Sequence, residues 1–183
     1  MMNPALDKVT PAIDNEKTSP PEIAVAPALH IPKVFQKQLS GILPPYFQLS
    51  QALFSGNTEA VRSATSRVTK YLGEVDMSIL SGPSHMVWMK TQSQLSNNLA
   101  TLSAASNLAA QRQAFGELSK VMVQTITQFG PFGETTVYQM HCSMALKGQG
   151  ADWLSPQTEI WNPYFGDDMP NCGEMLKTHP QGR

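Results

Sequence analysis

The sequence predicts an all-α fold: an up-and-down four-helix bundle with an irregular C-terminal segment packed on it and a disordered N-terminal tail. Three observations predict it. Apolar residues recur at three- and four-residue spacing through four successive segments between Phe35 and Phe129. Short breaks rich in Gly, Pro, Ser and Asn separate those segments. After Gly133 the period stops, and Gly, Pro, Asn and Asp alternate with large aromatics.

Residues 1–31 scatter Pro4, Pro11, Pro20, Pro21 and Pro27 among Asp, Glu, Lys, Thr and Ala. Prolines block helices and remove backbone donors, so a flexible tail or linker is expected here. The domain is expected over 32–176, with 177–183 frayed. Its first apolar stripe is Phe35, Leu39, Ile42, Leu43, Tyr46, Leu49 and Leu53. Pro44 and Pro45 should kink that helix or split it in two. Gly56 and Asn57 suit a helix end and the cap of the next one. The second helix is expected from about Thr58 to Leu72. The third is expected after Ser81-Gly82-Pro83 with Ser84 as its cap, and the fourth over about Asn107 to Phe129. Thr135-Thr136-Val137-Tyr138 is β-branched and aromatic, which favours an extended stretch. Trp153, Trp161, Tyr164 and Phe165 are too many aromatics for a solvated tail, so this segment should fold back on the bundle.

Composition narrows the function. Thirteen basic and fourteen acidic residues leave a formal net charge of −1. No basic stripe invites a polyanion, so nucleic acid is not an expected partner. No stretch is long and apolar enough to span a bilayer, and no basic-then-apolar leader opens the chain. There is no glycine-rich phosphate loop, no carboxylate pair and no Gly-x-Ser-x-Gly elbow. An enzyme is therefore not expected.

The chemistry concentrates near the end. Both cysteines, four of the ten methionines and two of the three tryptophans lie from Met140 onward. Met140-His141-Cys142-Ser143-Met144 gathers thioether, imidazole and thiol, a soft donor set that favours monovalent copper or silver. The plainer reading is that the methionines fill the core and His141 is a surface residue. Met169-Pro170-Asn171-Cys172-Gly173 forms a tight turn that presents Cys172 and Met169 together. The plainer reading there is a Cys142–Cys172 disulfide, natural in an exported protein. One pair can also alternate between a reduced, metal-bound form and an oxidised, empty one. His85-Met86-Val87-Trp88-Met89 sets His85 and Met89 on one helical face, as further donors or as core. A thiol redox role would need an exposed cysteine of lowered pKa, and the Cys-x-x-Cys spacing is absent.

These residues resemble a known pattern. His141-Cys142-Ser143-Met144-Ala145, Gly150-Ala151-Asp152-Trp153-Leu154-Ser155, Ile160-Trp161-Asn162-Pro163-Tyr164-Phe165-Gly166 and Met169-Pro170-Asn171-Cys172-Gly173-Glu174 run in its order. The pattern is that of a helical bacterial domain of uncharacterised type. That domain occurs alone in exported proteins and at the C-terminus of CusB-like membrane-fusion proteins of copper and silver efflux. Gln111-Arg112-Gln113-Ala114-Phe115, Leu118-Ser119 and the His85–Met89 segment are similar to it as well, so the resemblance covers roughly 35–176. The family usually has proline where this chain has Ser143. The resemblance implies copper or silver handling in the periplasm, alongside efflux components.

The resulting expectation is capture of monovalent copper or silver by Cys142, Met144, Cys172 and Met169, with His141 and His85 as further donors. Trp153, Trp161 and Tyr164 would hold the loop and exclude water. The alternative is an interaction module of an efflux or envelope assembly, stapled by a structural disulfide.

Overall fold

A computed structural model describes residues 29–130 and 132–182. The expected disordered tail, 1–31, lies outside the described residues except for its last three positions. Five helices come first: α1 Lys33–Ser40, α2 Leu43–Phe54, α3 Thr58–Gly73, α4 Gly82–Ala104 and α5 Leu108–Phe129. Three strands follow: β1 Val137–Cys142, β2 Ala151–Ser155 and β3 Glu174–His179. They form one antiparallel sheet in the order β2-β1-β3.

The all-α expectation is therefore wrong; the fold is mixed. The reason lies in β2 and β3. Five residues of β2 show no inside–outside alternation, because four of them are buried. In β3, Glu-Met-Leu-Lys are helix formers by propensity and are exposed on both faces. Pairing with β1, which no local pattern records, decides their state. Lys177 to His179, expected to fray, are part of that pairing.

The helical body follows its sequence more closely. The prolines split the first run: α1 ends at Gly41, and Pro44 and Pro45 enter the first turn of α2, where N–H groups lack helical partners anyway. Asn57 and Asn107 cap α3 and α5 by accepting the N–H of Ala60 and Ala110, at 3.0 and 2.9 Å. The helix α4 starts two residues before the expected Ser84 cap. Ser81 is its N-cap, and Ser84 donates instead to the His30 carbonyl.

Helix α2 packs on α3, α3 on α4, and α4 on α5. Phe35, Trp88 and Phe129 form an aromatic cluster at one end, with centroids 5.1 to 5.9 Å apart. At the other end of α5 a column of rings leaves the bundle for the sheet. Tyr46 stacks on Phe115, Phe115 meets Tyr164, and Tyr164 meets Trp153 edge-on. Trp161 stacks on Phe54 beside it. Each such pair adds about 0.5–1.5 kcal/mol beyond its buried area. The β1–β2 turn docks on α5 through Leu146, which occupies the space a side chain at Gly116 would need.

The polar joint between bundle and sheet is Tyr46, which is fully buried. Its hydroxyl lies 2.6 Å from Ser119 Oγ and accepts the Leu154 N–H at 3.2 Å. Burial raises its pKa far above the ordinary phenol value, with those two hydrogen bonds pulling the other way, so it stays protonated. Tyr46→Phe would strip the Leu154 N–H of its partner in a buried site, costing about 1–3 kcal/mol. The expected result is a lower urea midpoint at unchanged slope.

His179 closes β3 and is buried, with no hydrogen-bond partner on Nε2 among the described residues. Burial first, then Lys177, depresses its pKa. The unfolded chain therefore takes up this proton more readily than the folded one. The associated stability is present above the ordinary imidazole value of about 6.5 and is lost as pH falls through the folded value. A urea midpoint that drops on acidification to about pH 5, with a shallower drop in His179→Leu, is the expected result.

Candidate functional site

The strand β1 alternates from Met140 onward, past an irregularity in its pairing between Gln139 and Met140. Met140 and Cys142 face inward and are 0% and 1% exposed, while His141 is half-buried on the other face. Met140 is thus core, as the plainer sequence reading had it. Met144 is not: it is 55% exposed, in the turn after the strand.

Cys172 reaches β1 because a buried asparagine organises the loop before β3. Asn162 is 0% exposed, and its amide oxygen accepts the Tyr164 and Phe165 N–H groups at 2.8 and 3.3 Å. Its Nδ2 donates to the Cys172 carbonyl at 2.7 Å. Its backbone pairs with Pro170 and Gly166. The Asn-Pro-Tyr stretch therefore fixes the residue that carries the thiol. Gly173 then passes so close to β1 that an added Cβ would lie 2.7 Å from the His141 carbonyl oxygen. Its φ of +144° also favours glycine. Arg112 anchors the far side by donating to the Leu53 carbonyl at 3.1 Å, at the end of α2.

Cys142 Sγ and Cys172 Sγ end up 2.8 Å apart as free thiols, the first buried and the second half-buried. The hydrogen bond to Cys142 first, then burial, then the charge of Cys142 push the Cys172 thiol above its ordinary pKa. An attacking redox thiol needs the opposite shift. A cation between the two sulfurs would relieve their mutual opposition.

His141 has partners that sequence reading missed. Its Nδ1 lies 2.6 Å from Asp152 Oδ1, its neighbour across the β1–β2 ladder. Gln139 holds the other Asp152 oxygen at 2.9 Å. The carboxylate can only accept, so Nδ1 carries a hydrogen, and in the neutral ring Nε2 keeps a lone pair. This is how ligating histidines are commonly oriented. The only possible signal was the register between β1 and β2, which the chain does not reveal residue by residue.

A shallow cleft of about 290 Å³ joins these groups, lined by His141, Ser143, Met144, Cys172, Gly173 and Glu174. Cys142 touches it through Cys172. Met169 lies beside it, giving its carbonyl to the Cys172 N–H at 3.3 Å, and does not line it. His85 is elsewhere. It sits one turn before Trp88, which packs on Phe129, whereas the sheet is tied to Phe115. Those two phenylalanines are about 20 Å apart along α5 at 1.5 Å per residue. Of the six expected donors the fold gathers Cys142, Cys172, Met144 and His141. Among the described residues no group of three or more His, Cys, Asp and Glu side chains forms a ready cage. Two thiolates on one tetrahedral ion at about 2.3 Å sit about 3.8 Å apart, so a metal would require the pair to open by about 1 Å.

The fold and site define a helical domain with a C-terminal three-stranded sheet that carries a dithiol cleft. Residues 42–134, just over half of the chain, match the family described as Protein of unknown function (DUF3347), and the chain belongs to that family. The match runs from the start of α2 to Glu134, so the cleft lies beyond it. The comparisons with curated proteins and with solved structures gave no match.

Asn162→Ala would leave the Cys172 carbonyl and the Tyr164 and Phe165 N–H groups without their partner, costing roughly 2–4 kcal/mol. Cys142–Cys172 disulfide formation under a mild oxidant, followed by non-reducing mass spectrometry, should slow relative to the parent.

Proposed function

We propose that this domain captures monovalent copper or silver at the C-terminal cleft and hands it on without chemical turnover. The thiolates of Cys142 and Cys172 are the primary donors. Met144 supplies a thioether from the exposed turn, and His141 supplies Nε2. Met169 and His85 are not in this donor set. The observation that carries the reading is that one cleft brings together both thiols, after the pair opens by about 1 Å, and an imidazole oriented by Asp152. Soft sulfur donors favour monovalent copper and silver over hard cations. The resemblance to the C-terminal domain of CusB-like proteins supports a role in metal efflux or resistance, in the periplasm, with efflux components as the recipients.

The test is an anaerobic titration of the reduced full chain with monovalent copper against a chromogenic chelator. The parent should win one equivalent. Cys142→Ser and Cys172→Ser should each lose it. Asp152→Asn, which removes the carboxylate that orients His141 and pairs with Gln139 without touching a sulfur donor, should weaken it by about 10–100-fold. A parent that cannot compete with the chelator at all overturns the proposal.

The same sulfur separation favours a second reading, in which the pair closes to a disulfide that staples β1 to the loop before β3. Met175 and Leu176 then become a docking edge, since both are about half exposed on β3. A disulfide that survives reduced glutathione at periplasm-like poise, with no metal uptake, would select this interaction module instead.

A further inference from the structure

We infer a second soft-metal site on the outer face of α4, built from His85, Met86 and Met89. It shares a metal class with the cleft and none of its residues, so neither proposal depends on the other. Met86 is 67% exposed and Met89 47%, so neither is the core filler that methionine at helical spacing usually is. Successive residues turn by about 100° in a helix, which sets Met89 about 40° from His85, with Met86 about 60° further round. The three span about 100° of the helix surface with Met89 between the other two, and Met89 is four residues from His85 and three from Met86, spacings at which Cβ atoms lie about 5–6 Å apart. Trp88, about 60° from His85 on the side away from Met86, is buried and fixes which way the arc faces.

The imidazole is already oriented. His85 Nδ1 lies 3.2 Å from the Met77 carbonyl, in the turn before α4. A carbonyl only accepts, so Nδ1 carries a hydrogen, and in the neutral ring Nε2 is bare. An N–H held by a carbonyl is the usual arrangement behind a ligating histidine. The donors are two thioethers and a neutral imidazole, with no carboxylate among them. Such a set takes a soft monovalent cation and offers little to magnesium or calcium. The positive end of the α4 dipole opposes a cation here by about two- to fivefold, a small term beside three direct ligands.

The experiment uses the full chain with ¹³C-methyl methionine, in the parent and in a Cys142→Ser/Cys172→Ser variant, titrated with silver ion alone. Silver is diamagnetic and preserves the methyl signals. In the cysteine variant the Met86 and Met89 methyls should shift together and saturate near one equivalent. In the parent they should respond only after the cleft is filled. Met86→Leu should abolish the Met89 response, Met89→Leu the Met86 response, and His85→Ala should weaken both at least about tenfold, the low end for a disturbed metal site. Both methionines are exposed, so each leucine variant should fold like the parent. The inference is overturned if the two methyls stay still, or if they move only at silver levels that also move Met144 and Met175 in the cysteine variant. Loss of the cleft equivalent with a retained α4 response counts against the cleft proposal alone, and the converse counts against this site alone.

Discussion

Tyr46 Oη lies 2.6 Å from Ser119 Oγ and accepts the Leu154 N–H at 3.2 Å, so one buried hydroxyl joins α2, α5 and β2. Nothing else polar in the described core links three elements in this way. The aromatic column from Tyr46 through Phe115 and Tyr164 to Trp153 runs beside it and supplies the apolar area. Without this joint the sheet has little reason to stay on the bundle, because β3 is exposed along five of its six residues. A small three-stranded sheet needs a packed face for stability, and here the packed strand is β2.

The cleft depends on that joint at one remove. Tyr164, held by the aromatic column, also donates its hydroxyl to the Asp152 carbonyl at 2.7 Å. Asp152 orients His141, and Asn162, two residues before Tyr164, fixes the Cys172 carbonyl. The two halves of the site are therefore set by a single short stretch, Asn162 to Tyr164, that packs against the bundle. The turn between β1 and β2 carries left-handed Leu146 and Lys147, at φ of 52° and 63°. Such residues cost of order 1–3 kcal/mol each, and the seat of Leu146 against Gly116 offsets part of it.

The helices were legible because their signals are local. Apolar spacing, asparagine caps and a proline pair in the first turn of α2 are written within a few residues of where they act. The sheet was not legible beyond β1. Ala151–Ser155 is buried without alternation, and Glu174-Met175-Leu176-Lys177 has helix-forming composition. Pairing with β1 decides both outcomes, across 9 to 17 residues for Ala151–Ser155 and more than thirty for Glu174–His179. In the site, Cys142, Cys172, Met144 and His141 could be named from donor chemistry alone. Asp152, Gln139 and Asn162 could not, since each acts through a register or a long-range hydrogen bond. His85 was grouped with the cysteines because sequence carries no distance, and α5 separates them by about 20 Å.

The central claim is a metal held by sulfur in the cleft, and X-ray absorption at the copper edge tests it most directly. The reduced full chain is loaded with one equivalent of monovalent copper and desalted without oxygen. The account predicts that copper is retained, with two or more sulfur neighbours, and that the sulfur signal collapses in Cys172→Ser. Copper lost on desalting, or bound through nitrogen and oxygen alone, would contradict it.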